Sequence, residues 1–416
     1  MKIRPTIPPT AAPIHTIDLV KAIVGLFFGG KKYREKLEGG IKEYFGVRHV
    51  WCVSSGKAAL TLILSALRDS SKRKRVVIPA YTCFSVPSAI VKAGLEVALC
   101  DIDPATLDFD PRSLEMSVDE ETLCVIPNHL FGAPSNMDPI ARLCRERGAY
   151  LVEDAAQAMG GMYKGQKLGT IGDAGFFSLG RGKNITCGSG GLIVTNSSEI
   201  APAIERLCSE LETPGFFETA KEFLQLLFMA VFIRPIFYWF PEGLPFLKLG
   251  ETLFYRQFPV EKLSGMKAGC LWNWPRRLET ANRVRSVTAG YFREHLPFKK
   301  FSIQPAICYL RLPLILDSRE TRDRVYLYSR AKGLGLSRMY PTAVNEIEEI
   351  KGMFDGKSYP GAKEVAERLI TVPTHHLMTE RDKEAICALF QSFEIKEEPR
   401  VSCLENQQPA CDAMQK

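Results

Sequence analysis

Short apolar runs alternate with amphipathic stretches through the first half of the chain. The apolar runs predict strands, and the stretches between them carry apolar residues at helical spacing. Close strand–helix alternation is typical of an α/β fold with a large, doubly wound and mostly parallel sheet. The predicted strands are residues 49–53, 76–79, 96–102, 123–127, 150–154, 175–178 and 192–195, and the predicted helices are 17–28, 33–44, 58–67, 87–92 and 140–148.

The pattern changes after residue 200. Two helices are predicted at 263–271 and 279–295, followed by a strand at 310–316 and a helix at 319–332. We therefore predict a large domain over residues 1–285, including an apolar insert at 215–256, and a small C-terminal α+β domain over residues 286–396. Residues 397–416 lack periodicity and predict a disordered tail.

The insert contains the most apolar stretch of the chain. Residues 223–240 are nearly all apolar but are interrupted by Gln225, Arg234 and Pro235, and a second apolar patch follows at 244–247. A spanning helix needs roughly 20 apolar residues, and a central arginine costs about 2.5–3.5 kcal/mol on insertion, so a true span is disfavoured. Two interpretations stay open: a buried helical hairpin or subunit contact, and an interfacial anchor with Tyr238 and Trp239 at the headgroups.

Composition indicates a globular protein, because 46% of the 416 residues are hydrophobic and 24% are charged. The net charge is +7, and the one dense basic cluster is Lys72–Arg75. We interpret this cluster as a solvated loop, with contact to an anionic membrane surface as the alternative. Nothing here predicts a nucleic-acid partner. Twelve cysteines without a Cys-x-x-Cys pair indicate buried thiols in a reducing, cytoplasmic compartment and no metal site. The proline-rich start is unlike a signal peptide.

One pair of residues suggests cofactor chemistry. Asp154 closes an apolar run, and Lys183 follows 29 residues later in a glycine-rich loop. Pyridoxal phosphate needs a lysine that bonds to its aldehyde carbon and an acid that keeps its ring nitrogen protonated, so that the ring can act as an electron sink. The ordinary alternative is an aspartate that caps a turn or helix and a solvated lysine.

A second stretch predicts an anion site. Residues 54–57, Ser-Ser-Gly-Lys, join a predicted strand to a predicted helix, where free backbone N–H groups and the helix dipole converge. A plain helix cap is the alternative. Residues 54–57, 81–85 and 154–157 all follow predicted strands, and ligands of such sheets bind at the carboxyl ends of the strands.

The wider motifs carry a family resemblance. Residues 153–157 (Glu-Asp-Ala-Ala-Gln), 172–178 (Gly-Asp-Ala-Gly-Phe-Phe-Ser), the Lys183-Asn184 pair and 188–196 (Gly-Ser-Gly-Gly-Leu-Ile-Val-Thr-Asn) together resemble the DegT/DnrJ/EryC1/StrS family. The resemblance runs from about residue 27 to about residue 390. It implies an aspartate-aminotransferase-like fold of type I, pyridoxal phosphate as cofactor, and a homodimer in which the neighbouring subunit completes the phosphate site.

The resemblance also implies roles for individual residues. Lys183 would be the catalytic lysine, Asp154 would hold the ring nitrogen, and Gln157 would lie near the ring oxygen. Two departures are evident: Lys57 replaces the usual threonine, and Cys83 stands where the family has an aromatic residue that stacks on the ring, with Tyr81 and Phe84 beside it. His129 is interpreted as structural. The implied phosphate residues are Ser55, Gly56, Lys57 and Ser178, and the implied ring neighbours are Cys83 or Phe84.

Three functions follow as hypotheses. The first is an aminotransferase that moves an amino group, with glutamate as the usual family donor, to a keto-sugar, often nucleotide-linked, in surface-polysaccharide or amino-sugar biosynthesis. Intact Lys183 favours it over the dehydratase branch, which carries histidine there. The second is a membrane-associated aminotransferase for a lipid-linked or amphipathic ketone, in peripheral contact with the inner face of the membrane through residues 223–247. The third is a catalytically degenerate membrane-surface partner, which only Cys83 and Lys57 support.

Overall fold

The structure, a computed structural model, describes residues 3–244, 250, 252–297 and 307–397. Two helices open it, α1 (Thr16–Phe27) and α2 (Gly30–Phe45). Gly29 joins them with φ of 74°, a left-handed conformation that glycine adopts without steric cost. This agrees with the sequence, in which Gly29 and Gly30 interrupt the helical pattern.

A seven-stranded sheet forms the centre of the molecule. Its strands are β1 (His49–Val53), β2 (Arg75–Pro79), β3 (Glu96–Cys100), β6 (Thr122–Val125), β7 (Tyr150–Asp154), β10 (Ala174–Ser178) and β11 (Gly191–Thr195). The spatial order is β1-β11-β10-β7-β6-β2-β3. Only β11 runs antiparallel to its neighbours within this sheet, so the predicted doubly wound, mostly parallel sheet is confirmed.

The predicted strand over 96–102 is divided in the structure. It ends at Cys100, and Ile102–Asp103 (β4) pairs instead with Asp108–Phe109 (β5). Asp101 lies at the break because its carboxylate accepts the N–H groups of Gly361 and Ala362, at 2.9 and 2.8 Å. Between β7 and β10 the chain forms a two-stranded hairpin, Met162–Tyr163 (β8) and Gln166–Lys167 (β9).

Helices pack against the sheet and bury their apolar faces on it. In α3 (Gly56–Ser70) ten residues are buried, including the run from Ala58 to Leu64. This helix starts before the predicted residue 58 because the Ser55 side chain accepts the N–H of Ala58 and caps it. The other helices of this part are α4 (Ser85–Lys92), α5 (Pro111–Ser117), the short 3₁₀ helix Leu130–Gly132, α6 (Met137–Arg147) and α7 (Ala201–Glu210).

The apolar insert forms two helices, α8 (Phe216–Phe232) and α9 (Pro235–Glu242), which break at Arg234 and Pro235. Within the single chain α8 buries only Thr219 and Leu226, so the chain itself does not cover this helix, and a subunit contact and an interfacial anchor both stay predictions. No described helix is long and apolar enough to cross a membrane. Of the second apolar patch, residues 245–247 lie outside the described residues.

The C-terminal part has its own small core. It comprises α10 (Gly265–Cys270), the long α11 (Trp274–His295), β12 (Arg311–Ile315), α12 (Arg319–Lys332), two 3₁₀ helices (Val344–Glu346 and Lys351–Phe354), α13 (Pro360–Arg368), β13 (Leu369–Pro373) and α14 (Glu380–Glu397). β12 pairs antiparallel with β13, and both contribute to a separate apolar cluster with α11, α12 and α14. The predicted boundary at residue 285 falls inside α11 and stays a prediction. Residues 398–416 of the predicted tail lie outside the described residues.

The segment before α1 connects three parts of the molecule. The N–H of Thr6 donates to Pro235 O at 2.8 Å, and the N–H of Ile7 donates to Gly333 O at 2.9 Å. The hydroxyl of Thr10 donates to Gly182 O at 2.8 Å. The segment therefore holds the insert and the C-terminal part close to the loop that carries Lys183.

Candidate active site

The candidate residues converge at one edge of the large sheet. β1, β7 and β10 run in the same direction, so the turns after Val53, Asp154 and Ser178 open at the same edge. The contact between two of these turns is tight. A Cβ at Gly56 would lie 3.0 Å from Ser178 Cβ and 3.3 Å from its Oγ, so the two predicted phosphate segments adjoin across the start of β11.

The turn at the start of α3 provides anion donors. The first N–H groups of an α-helix have no intrahelical acceptor, and Ser55 Oγ takes only that of Ala58, at 3.1 Å. The N–H groups of Gly56 and Lys57 lie at the N-terminal end of α3, where the helix dipole stabilises a negative charge. A glycine at 56 lets the Ser178 hydroxyl approach this turn.

The Lys57 side chain lies against aromatic rings. Its Nζ is 4.7 Å from the ring centre of Tyr255 and 4.5 Å from that of Phe258, and burial lowers its pKa. The structure thus has the ammonium group beside residues 255–258, and the predicted phosphate role of Lys57 stays a prediction.

Asp154 is a buried carboxylate with few partners. Within the described part of the chain its recorded hydrogen bond is from the N–H of Ala156, at 3.0 Å. Burial raises its pKa, while the charges of Lys183 and His129 act in the opposite direction. A buried carboxylate with free lone pairs can accept a further donor.

The adjacent Glu153 is the opposite case, because its carboxylate is fully satisfied. It accepts three N–H groups of the loop 169–172 and pairs with His129 Nε2 at 2.9 Å. Since His129 Nδ1 accepts the N–H of Ser135, Nε2 is the nitrogen that carries the proton toward Glu153. This supports the structural interpretation of His129.

The loop that carries Lys183 is held from behind by α11. The guanidinium of Arg285 donates to the carbonyl oxygens of Lys183 and Asn184, both at 3.1 Å. Burial lowers the pKa of the Lys183 amine; Cys83 and Asp154 oppose the shift, and the positive charge of Arg311 adds to it. The amine is therefore kept closer to its neutral, nucleophilic form than in an exposed lysine.

Two of the predicted ring neighbours are separated by the structure. Cys83 is an electrostatic neighbour of both Lys57 and Lys183, so its thiol faces the site. Phe84, which precedes α4, is buried in the main hydrophobic core, against which Cys83 also packs, and contact of Phe84 with the cofactor stays a prediction. Tyr81 is also core and packs on Tyr340, with ring centres 5.3 Å apart.

Gln157 contacts Tyr340, a residue of the C-terminal part for which the sequence predicts no role at the site. Its Nε2 donates to the hydroxyl of Tyr340 at 2.9 Å, and Tyr340 is in turn an electrostatic neighbour of Cys83 and Asp154. Arg311, which bears on the pKa of Lys183, was likewise missed. Its one sequence signal is a charge at the head of an otherwise apolar strand.

The site fits pyridoxal phosphate by three features. Asp154 has acceptor capacity for a protonated ring nitrogen, and the α3 turn with Ser178 offers donors for a phosphate. Lys183, an electrostatic neighbour of Asp154 and Cys83, has a lowered pKa. One acceptor for a protonated ring nitrogen and several donors for an anionic group suit a pyridine ring that carries a phosphate. Among described residues no cluster of three metal-ligating side chains is found.

Comparison with known proteins gives a family for the part that carries this site. Residues 20–223 match the model of the DegT/DnrJ/EryC1/StrS aminotransferase family. GDP-perosamine synthase of Caulobacter vibrioides is 34% identical over 172 residues, 41% of this chain and 46% of that protein. L-glutamine:2-deoxy-scyllo-inosose aminotransferase of Streptomyces lividus is 32% identical over 186 residues, 45% of this chain and 44% of that protein. The matches span about half the length of these relatives.

Solved structures extend the likeness to nearly the whole chain. Helicobacter pylori PseC, an aminotransferase involved in the biosynthesis of pseudoaminic acid, superimposes with a TM-score of 0.74 at 15% identity, over 94% of this chain and 100% of that chain. DesI in the presence of its TDP-sugar product gives 0.74 at 21% identity, over 95% of each chain. These likenesses establish the fold, including the C-terminal part that the family model does not reach.

Proposed function

We propose, for a chain whose residues 20–223 belong to the DegT/DnrJ/EryC1/StrS aminotransferase family, that the site transfers an amino group to a keto-sugar with pyridoxal phosphate as cofactor. The observation that carries the proposal is the pairing of Asp154, a buried carboxylate with a single hydrogen bond, with the nearby amine of Lys183. Relatives named as a GDP-perosamine synthase and an inosose aminotransferase support the sugar substrate class.

Each residue has a task in this proposal. Pyridoxal phosphate, when bound, supplies the electron sink that stabilises negative charge on the substrate carbon. Asp154 keeps a proton on the ring nitrogen, and Gln157, positioned by Tyr340, donates near the ring oxygen. The α3 turn and Ser178 hold the phosphate. Lys183, with its lowered pKa, would hold the aldehyde end of the cofactor, and its amine would move the proton at the reacting carbon.

The finer parts of the proposal are the amino donor, the assembly and the location. We propose glutamate as donor and a homodimer as the working form, on the family resemblance. We propose a cytoplasmic protein, since the ten cysteines among the described residues are all free.

Visible absorbance tests the cofactor and the lysine together. The purified protein with pyridoxal phosphate should show the band of a lysine-bound cofactor, and glutamate should bleach it. Lys183→Ala should lack the band, whereas Lys164→Ala, which removes an exposed lysine of the β8–β9 hairpin, should keep it. A band that glutamate leaves unchanged would point to another donor. Absence of the band in the unmodified protein would reject the enzyme and favour the degenerate partner.

A second proposal concerns the outer surface of the insert. Large apolar side chains of α1, α8 and α9 are exposed, with Phe217 at 87% and Phe28 at 72%. They form one surface, since Phe27 and Phe216 have ring centres 5.9 Å apart and Phe232 and Phe237 are 6.3 Å apart. We define this apolar face by its exposed residues Ile17, Val20, Ile23, Phe27, Phe28, Phe216, Phe217, Leu224, Leu227, Phe228, Val231, Ile236 and Phe237.

Charge favours an anionic lipid surface as the occupant of the apolar face. On the same helices and the start of α2, five exposed cations (Lys31, Lys32, Lys36, Lys221 and Arg234) exceed three exposed anions (Glu35, Glu218 and Glu242). Apolar and aromatic side chains with basic neighbours are the pattern of interfacial binding. We therefore propose peripheral contact with an anionic membrane through this face.

Vesicle cosedimentation tests this second proposal. The protein should sediment with phosphatidylserine-containing vesicles and less with phosphatidylcholine alone, and Phe28→Glu with Phe217→Glu should abolish binding. Met116→Glu, an equally exposed apolar residue on α5, is the matched control. If the double variant instead turns a dimer into a monomer in light scattering, and no vesicle binds the original protein, the face is a subunit contact and the membrane proposal is wrong.

A further inference from the structure

The segment before α1 attaches the apolar face to the lysine loop, the residues 179–190 that carry Lys183. The N–H of Thr6 donates to Pro235 O, at the start of α9, at 2.8 Å. The hydroxyl of Thr10 donates to Gly182 O at 2.8 Å, and a Cβ at Gly182 would overlap the Thr10 side chain. The chain from Thr6 to Thr10 spans at most about 14 Å when extended, so α9 begins close to the lysine loop.

The same segment leads into α1, another helix of the apolar face. Arg285 of α11 donates to Ala11 O and to Lys183 O, at 3.0 and 3.1 Å. Arg277, also of α11, donates to Pro13 O at 2.7 Å, and α1 begins three residues later. Two helices that carry the apolar face therefore start from one segment, and that segment lies on the lysine loop.

α9 has one side on the apolar face and one side toward the candidate site. Ile236 and Phe237 are exposed, at 60% and 42%. Tyr238, the next residue, is half-buried. Burial raises the pKa of Tyr238 to about 12, and the charges of Arg311 and Arg181 oppose the rise. Since Arg181 belongs to the lysine loop, consecutive residues of α9 border the apolar face and the site.

The placement of the apolar face constrains its use. Attachment to a membrane requires an apolar face somewhere on the surface, but not beside the active site. Here α11 holds the lysine loop from one side, through Arg285 to Lys183 O and Arg277 to Thr186 O, and the segment before α9 and α1 lies on it from another. Interfacial helices lie at the boundary of headgroups and acyl chains, so binding through the apolar face would hold the lysine loop near the headgroups.

We propose that the acceptor of the amino group is a keto-sugar attached to a membrane lipid, which reaches Lys183 along α9, an inference that rests on both parts of the proposed function. The transfer is unchanged: the ketone of the sugar becomes an amine, and the amino donor becomes the corresponding oxo acid. A lipid holds its sugar at the membrane surface, and its hydrocarbon chain stays in the bilayer throughout. A water-soluble nucleotide-linked sugar requires neither the apolar face nor its place beside the lysine loop.

A pair of O-alkyl hydroxylamines tests this route without the natural substrate. Methoxyamine in solution and O-hexadecylhydroxylamine anchored in phosphatidylserine-containing vesicles both react with lysine-bound pyridoxal phosphate and bleach its visible band. On vesicle-bound protein, the anchored reagent should bleach the band about tenfold faster than methoxyamine at equal total concentration, because it is concentrated at the membrane surface. Stopped-flow absorbance, corrected for the scattering of vesicles without reagent, measures both rates.

Two charge substitutions separate presentation along α9 from attachment alone. Phe237→Glu, next to Tyr238, should slow the anchored reagent about tenfold more than the loss of vesicle-bound protein accounts for, with the methoxyamine rate unchanged. Phe217→Glu places the same charge at the other end of the insert, near the start of α8. It should slow the anchored reagent only in proportion to the bound fraction, which cosedimentation of the same samples measures. Proportional slowing in both variants would overturn the route along α9.

The remaining outcomes distinguish failure of this inference from failure of the proposed function. A band that methoxyamine bleaches but the anchored reagent leaves intact on vesicle-bound protein would overturn the inference and favour a water-soluble acceptor, with the aminotransferase standing. Protein that stays in the supernatant would reject the membrane contact and the lipid-attached acceptor with it. Absence of the band in the original protein would reject the aminotransferase itself.

Discussion

The back and the front of the lysine loop differ in how their buried polar groups are satisfied. At the back, Arg285 donates to three carbonyl oxygens, and the Asn184 amide donates to Asn282 at 3.1 Å, while Arg285 Nε and Asn184 Oδ1 have no hydrogen-bond partner among the described residues. At the front, Asp154 has one hydrogen bond among the described residues, and Arg311 meets a thioether. Arg285 and Asp154 are both buried, so burial alone does not distinguish them, whereas Arg311 is partly exposed.

The difference teaches which buried charges serve the fold. A charge whose partners all belong to the chain has been paired during folding, and its removal leaves those partners unsatisfied. A charge without partners destabilises the protein on its own and is retained where a ligand completes it, which is typical of functional sites. Glu153 and Asp154 give the same contrast at adjacent positions of β7.

The largest expected effect is a difference in the free energy of unfolding between variants of Arg285 and Arg311. Arg285→Met should lower the free energy of unfolding by about 2–4 kcal/mol, because buried carbonyls lose charged donors. Arg311→Met should change it by less than about 1 kcal/mol or raise it, because a partly buried charge without a carboxylate partner among the described residues is replaced by an apolar side chain. Urea denaturation of the cofactor-free protein measures both. Equal losses would contradict the division between back and front.

A smaller effect is expected at the phosphate turn. Gly56→Ala would place a Cβ 3.0 Å from Ser178 Cβ, and the displaced hydroxyl should weaken pyridoxal phosphate binding about tenfold, or about 1.4 kcal/mol. Titration of the visible band measures it. Gly39→Ala is the control, since a Cβ there meets nothing within 4 Å. It should keep the affinity and stabilise α2 by up to about 1 kcal/mol; unchanged affinity in Gly56→Ala would argue against this turn as the phosphate site.

The smallest effect is a pH dependence at Asp154. Because burial raises its pKa in the folded, cofactor-free protein, the side chain stabilises the fold below the ordinary pKa, and this contribution is lost as the pH rises through the raised value. The Tm of Asp154→Asn, relative to that of the original protein, should therefore rise by a few degrees between pH 4 and pH 8. Thermal unfolding at a series of pH values measures it.

A control with the opposite sign sharpens this test. The exposed Asp138 has its pKa lowered by a hydrogen bond and the charge of Lys164, so its contribution is present above the ordinary pKa and is lost as the pH falls. The Tm of Asp138→Asn should therefore fall relative to that of the original protein as the pH rises. With pyridoxal phosphate bound, the gain of Asp154→Asn should disappear, since the carboxylate then has a cationic partner. A gain that persists would contradict the pairing.

Local pattern was sufficient for the sheet and for the main chemical pair. β1 and β7 have the predicted bounds, because continuous apolar runs closed by polar turns are a local property of the sequence. Asp154 and Ser55 lie at strand ends for the same reason, and strand direction then brings them to one edge. The insert was predicted as apolar, but the sequence left open whether it is a buried hairpin or subunit contact or an exposed interfacial anchor, since the number of apolar residues does not say whether a partner element covers them.

The sequence by itself determined the elements, their alternation, and the carboxylate, lysine and Ser-Gly turn of the candidate site, because each is encoded within a few neighbouring residues. Only the tertiary structure decided that Cys83 and not Phe84 faces the lysine, that the Lys57 ammonium lies on Tyr255 and Phe258, and that Arg311 is left without a carboxylate. Those outcomes depend on residues that are far apart in the chain, such as Lys57 and Phe258 or Arg311 and Met339. The physical reason is that a charge is paired or unpaired only after the whole fold has closed around it.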